Sequence, residues 1–354
     1  MKIPYSIPNI GKEDIDLVKE VLDSGWFTMG KKVELFEEKM ATYLGRKYAI
    51  AVNNGTSALE VAYRTLGIGR GDQIVVPACS YISTATTVNL VGATPVFVDV
   101  DPFMTLDPKC LSNAITENTK AVVVMDSTGN PCDYDSLINI CREKKIHLIL
   151  DGAQSLGSTY NAKSCLSFGI ISTTSFHAAK ILTTVEGGMI FTDDKHIAEK
   201  ARCIRNQGES TQKYVHEYLG GNYRMTDVCA AFGIRQLERF DKTLSKRLQK
   251  VSYYKDLLSG RIEFLPTRDK GASCHSIFPV LVEDRSGVTK HLHECGIATR
   301  HLYPSIIPRQ PLYKLDGEFP VSEMFCRRCF SLPLYADLST EQIEYVCEKI
   351  KEVL

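Results

Sequence analysis

Between residues 47 and 192, short runs that favour β-structure alternate with helix-forming segments, and no other feature of the chain narrows its fold so far. The runs KYAIAV, QIVV, PVFVDV, KAVVVM, HLILD, IISTTSF and GGMIF are separated by stretches such as Ser57–Leu66, Asp107–Ile115 and Asp133–Lys144. Apolar strands joined through helices predict an α/β fold, with a mostly parallel sheet covered by helices on both faces. Ligands of such sheets gather at the carboxyl ends of the strands. Chemistry-bearing residues are therefore sought just after each run.

From Thr226 to about Leu258, Val228, Ala231, Phe232, Ile234 and Leu237 recur at helical spacing, which predicts one or two long helices leading away from the sheet. The remainder alternates a strand (HSIFPVLV), a helix, a second strand (ATRHLY) and a terminal helix. This divides the chain into a large unit, residues 1–240, and a smaller α+β unit, residues 241–354.

Composition excludes some functions. Lys and Arg number 42, as do Asp and Glu, so no global field favours nucleic acid or an anionic membrane. No basic leader with an apolar stretch opens the sequence, and no run of some 18 apolar residues occurs, which reads as a soluble cytoplasmic protein. The twelve cysteines lack framework spacing. One CxxC, Cys326 to Cys329, has no second pair to complete a zinc site, so no metal is expected.

Four strand ends carry candidate chemistry. After KYAIAV comes Asn53-Asn54-Gly55-Thr56-Ser57 at a helix start, where free amides and hydroxyls suit a phosphate. A plain helix cap by Thr56 or Ser57 gives the same pattern. Asp151 closes HLILD, where an ionised carboxylate needs a partner: a protonated ring nitrogen, or ordinary amide donors. In STTSFHAAKILTTVEGG, Lys180 follows Ser175 and precedes Glu186-Gly187-Gly188. Such a lysine is a solvated charge unless its surroundings fit it for Schiff-base chemistry. Tyr81, in VPACSYIS, can stack on a planar cofactor or pack beneath the next helix. Together the four supply a phosphate cradle, a stacking ring, an acid for a pyridine nitrogen and an amine for an aldehyde, the set a pyridoxal 5'-phosphate enzyme requires.

The chain resembles the sugar aminotransferases of the DegT/DnrJ/EryC1/StrS family, which share the type I aspartate aminotransferase fold. The likeness runs through NNGTSALEVAYRTLGIGRGDQIVVP, GATPVFVDVD, DGAQSLGS, SFHAAKILTTVEGGMIFTDD, GGNYRMTDVCAAFGIRQLERFD and SLPLY. It implies that Lys180 holds the cofactor and later moves a proton, and that Asp151 keeps the pyridine nitrogen protonated. It gives Gly55, Thr56 and Ser175, with Ser57 beside them, to the phosphate, Tyr81 to the ring face and Gln154 to the ring and its 3-oxygen. Asn222 matches a position that reaches the neighbouring subunit's phosphate, which implies a homodimer with shared sites.

The implied reaction passes an amino group from L-glutamate to a nucleotide-linked keto sugar, a 4-keto-6-deoxyhexose by family analogy. Arg205, Arg224 and Arg309 are candidates for its diphosphate, and His301 and Tyr303 for closure over the sugar. Departures from the family pattern at Asp126-Ser127-Thr128-Gly129 and at Gly221 fall where substrate or partner chain is expected. Other reactions of the same fold stay open: cyclitol amination, elimination or aldol cleavage. A non-catalytic regulatory relative would be marked by loss of Lys180 or Asp151, and both are present.

Overall fold

The computed structural model describes all 354 residues. The seven runs form one seven-stranded sheet in the order Tyr48–Val52, Gly188–Thr192, Ile171–Ser175, His147–Asp151, Thr119–Met125, Gln73–Pro77 and Thr94–Val98. The neighbours from Ile171–Ser175 to Thr94–Val98 all pair in parallel. Gly188–Thr192 alone runs against the rest, antiparallel to both its neighbours. The reason is its connection. A parallel return needs a crossover of a dozen or more residues, usually a helix, whereas the chain leaves Ser175 through an irregular loop carrying Lys180 and comes straight back.

Successive side chains of a strand point to opposite faces. Val122, Val124, Leu148 and Leu150 enter one core layer, with the helices Lys12–Ser24, Lys31–Leu44 and Asp227–Glu238 nearby in it. Ala121, Val123 and Ile149 enter the layer on the other face. Fully burying such a side chain contributes about 1.5–3 kcal/mol relative to exposure. The two layers thus offset polar groups placed at the strand ends.

Thr226 caps the helix Asp227–Glu238, its Oγ1 accepting from Cys229 N at 3.2 Å. The helix Phe240–Leu258 then leads to a four-stranded antiparallel sheet, ordered Glu263–Phe264, Phe278–Leu281, Cys329–Leu332 and Arg300–His301. Val251, Tyr254, Phe278, Val280, Phe330 and Ile343 build a second core there. Ile3 belongs to that core and bridges to Ile297. The N-terminus therefore packs with the second core, although the sequence reading groups it with the large unit.

A smaller apolar cluster joins the two parts: Cys79, Val100 and Met104 meet Leu281, Leu302 and Phe325. Beside it, the Asp99 carboxylate accepts from Val321 N at 2.9 Å and Ser322 N at 2.8 Å. These contacts fix the small sheet against the large one. No helix is long and apolar enough to cross a membrane.

Candidate active site

A cavity of about 520 Å³ lies between the carboxyl ends of the large sheet and the edge of the small one. Gly55, Thr56, Tyr81, Asp151, Gln154, Ser175 and Lys180 line it from the large sheet, and His301 and Tyr303 from the other side. Side chains up to 125 positions apart in sequence converge because each follows a strand of the same sheet.

Asp151 ends its strand and is only 3% exposed. Its Oδ2 accepts from Thr84 Oγ1 at 2.7 Å and its Oδ1 from Ala153 N at 3.3 Å. Burial pushes the carboxyl up from its ordinary range, while Thr84, Ala153 and the charge of Lys180 pull it down. A carboxylate so enclosed is suited to a cationic ring nitrogen, which would restore what desolvation removes. Lys180 shows the converse: burial lowers its ammonium below the ordinary lysine range, and Asp151 opposes this. The amine is thereby biased toward the neutral, nucleophilic form.

The phosphate end is set by close approach. Asn54 caps the helix Gly55–Thr65, its Oδ1 accepting from Ser57 N at 2.8 Å. Ser57 N is thus engaged in the cap, and Ser57 itself lies behind the cavity wall and not on it. The amides of Gly55 and Thr56 sit in the helix's first turn, where the helix supplies no acceptor. A Cβ on Gly55 would lie 2.9 Å from Ser175 Cβ, so glycine is what lets this helix start meet Ser175. A Cβ on Gly188 would lie 2.4 Å from Asn54 O. Gly188, the second of the glycine pair after Lys180, therefore clears the same turn, while a Cβ on Gly187 would meet Thr184 and Met225 instead. Together the first-turn amides and the Ser175 hydroxyl fit a phosphate dianion.

The Tyr81 ring stands free in the cavity, 58% exposed. Gln154 Oε1 accepts from Thr128 N at 2.5 Å, which fixes the amide in place and directs its NH2 away. Tyr303 lines the same cavity as Gln154, and burial raises its hydroxyl well above the usual phenol range. Thr128 adopts φ 62°, so the segment that departs from the family pattern contributes a strained backbone donor and no side chain to the cavity.

The sequence-predicted arginines lie elsewhere. Arg205 is buried, donating to Glu37 Oε1 at 2.5 Å and Ala51 O at 3.0 Å. Arg309 donates to Leu315 O, Gly317 O and Glu323. Arg224 donates to Asn206 Oδ1 at 2.7 Å on the strip where Asn222, also off this cavity, is exposed. Sequence reading missed Thr84, three residues after Tyr81 and buried behind the cavity against Asp151, and also Tyr5 and Arg300 on the cavity wall. The first was legible as a hydroxyl near a strand end; the others come from segments that only the small sheet brings together.

The sequence profile of the DegT/DnrJ/EryC1/StrS aminotransferase family matches residues 8–351. The chain belongs to this family. The GDP-perosamine synthase of Escherichia coli O157:H7 is 34% identical over 99% of this chain and 98% of its own length. The dTDP-4-dehydro-2,3,6-trideoxy-D-glucose 4-aminotransferase of Saccharopolyspora spinosa is 32% identical over 98% of this chain and 95% of its own. Spr1654 of Streptococcus pneumoniae, solved in PLP-form and in PMP-form, superposes with TM-score 0.95 at 29% identity, covering 100% of this chain and 98% of its own. As a DegT/DnrJ/EryC1/StrS protein, this chain is a pyridoxal-phosphate-dependent transaminase with the type I fold.

Proposed function

We propose that the enzyme transfers the amino group of L-glutamate to a nucleotide-linked 4-keto-6-deoxyhexose, in the cytoplasm, as a homodimer with shared sites. The observation that carries this reading is the pairing, in one cavity, of a desolvated amine at Lys180 with a desolvated carboxylate at Asp151, beside the bare helix start at Gly55. The 4-dehydro deoxysugar in the Saccharopolyspora relative's name supports the sugar class.

The cofactor, when bound, supplies an aldehyde to accept the amino group and a ring that draws electrons from the adjacent carbon. The protein supplies the rest. Gly55, Thr56 and Ser175 would hold the cofactor's phosphate, Tyr81 would cover its ring, and Asp151 would hold a proton on the ring nitrogen. Lys180 is the amine that would hold the aldehyde end of the cofactor. During turnover its Nζ takes the α-proton of the donor and later delivers one to the sugar carbon that gains nitrogen. A base tethered beside its target carbon acts at an effective concentration no free amine reaches.

Homodimerisation is supported by the loop before Asn222, where Tyr214 and Leu219 stand 78% and 80% exposed. Apolar side chains this open suit burial against a second copy. Incubation with a keto-sugar nucleotide and L-glutamate tests the reaction. Amino-sugar and 2-oxoglutarate should form in equal amounts; 2-oxoglutarate without amino-sugar would sink the assignment.

A further inference from the structure

Arg300 faces the cavity with its hydrogen-bonding capacity unspent. The other arginines discussed above are committed to protein acceptors, whereas the Arg300 side chain makes no hydrogen bond or ion pair; only its backbone carbonyl accepts, from Ser331 Oγ at 3.2 Å. The guanidinium is nonetheless held in place. It lies 4.9 Å over the Tyr5 ring. The Tyr5 hydroxyl is bonded to Ser331 Oγ at 2.8 Å, and Ser331 pairs with Arg300 across the small sheet. Tyr5 O accepts from Leu334 N at 3.3 Å, and two residues earlier Ile3 donates to Gly296 O at 2.9 Å. A cation stacked on a fixed ring keeps its N–H fork pointed at whatever enters, and ordering it on binding costs little.

The carboxylates of the cavity do not answer it. Asp151 is occupied by Thr84 and Ala153, and Glu186 lies 3.7 Å from His177. Resting on the reaction proposed above, two anions enter: the carboxylates of the amino donor and the diphosphate of the sugar nucleotide. Position separates them. Arg300 and the Lys180 amine line the same cavity. The donor's nitrogen must come to the same reacting carbon as Lys180, which leaves its α-carboxylate carbon two bonds from that nitrogen and three from the reacting carbon. A diphosphate on carbon 1 of a sugar reacting at carbon 4 sits several bonds further out.

The geometry points to Arg300, preset by Tyr5, as the residue that binds a carboxylate of the amino-acid donor. A planar fork matches a carboxylate through two parallel N–H···O bonds, which an ammonium cannot copy.

The test uses Arg300→Gln and Arg300→Lys in the full-length, cofactor-loaded protein. Calorimetric titration with glutarate, a dicarboxylate that cannot turn over, reads binding alone. We expect affinity to fall about 10- to 100-fold in Arg300→Gln, the range for losing hydrogen bonds to a charged group, with partial recovery in Arg300→Lys. The two half-reactions are then followed separately by the cofactor's visible band. The L-glutamate concentration giving half-maximal rate should rise by the same factor, with the keto-sugar half-reaction altered less than about twofold. Unchanged glutarate binding overturns the assignment, as does a larger loss in the sugar half-reaction, which would give Arg300 to the diphosphate. A wild-type protein that binds glutarate but never loses its band with any amino acid would refute the proposed reaction, and the glutarate comparison would still decide the role of Arg300.

Discussion

Asp151 is placed where burial makes its charge costly, a cost that the proposed cationic ring nitrogen would offset. Burial raises its carboxyl above the ordinary value of 3.8, so the folded chain holds this proton more tightly than the unfolded chain does. With that sign, its contribution to stability falls as pH climbs through the interval above 3.8 and stays lost at neutral pH. Asp151→Asn should therefore leave the cofactor-free protein at pH 7 at least as heat-stable as wild type, while turnover drops by roughly 10²-fold or more, as when an electrostatic partner of the reacting group is removed. Thermal melts with and without pyridoxal phosphate check this: the cofactor should stabilise wild type more than the variant, and equal gains would mean the ring nitrogen has another partner. Lys180 titrates in the opposite sense, its ammonium lowered by burial. Uptake of pyridoxal phosphate by the apo-protein should accelerate with pH and level off below 10.5, the ordinary lysine value; a rate still climbing above it would place the amine in solvent. The place of both residues in the cavity was legible because one ends a β-run and the other follows one, where ligands of such sheets gather. The engagement of Arg205 was not legible, since the acceptor that claims it, Glu37, lies 168 positions away in sequence.

At the scale of elements, the helix start at Gly55 depends on a separation that a single methyl group would close. Glycine at this position forgoes about 1 kcal/mol of helix propensity relative to alanine. Gly55→Ala regains that but puts a carbon 2.9 Å from Ser175 Cβ and 3.3 Å from its Oγ, so the strand end or the helix must shift. We expect a folded protein whose affinity for pyridoxal phosphate falls about tenfold or more, in line with losing one hydrogen bond to a charged group. Gly69→Ala is the control, because its Cβ would meet only Val91 O at an ordinary 3.6 Å. Equal affinities in the two variants, by equilibrium titration, would remove Ser175 from the cradle. The strands themselves were readable as runs of β-branched and apolar residues flanked by turn signals. The reversed direction of Gly188–Thr192 was not, because direction follows from the connection and not from the run. Nor was the place of Ile3, whose partners in the second core begin nearly 250 residues later.

At the scale of the whole molecule, one residue of the proposed set stands apart from the others. Lys180, Asp151 and the helix start share a cavity, but Asn222 lies exposed outside it, on the strip that bridges Asn206 and leads to the contact of Arg224 with Val52. If Asn222 serves the neighbouring subunit, damage to it and damage to Lys180 fall in different sites of a two-fold dimer. In a mixed dimer of Lys180→Ala and Asn222→Leu chains, one site then combines both lesions. The other draws Lys180 from one chain and Asn222 from its partner, and is whole. Random reassociation makes about half the dimers mixed, each with one working site of two, so activity should return to about a quarter of wild type from two nearly inactive parents. Chains that serve their own sites would give no recovery on mixing, and a mixture that sediments as monomers would exclude the shared site altogether. Dissociation and reassociation of wild type under the same conditions sets the reference.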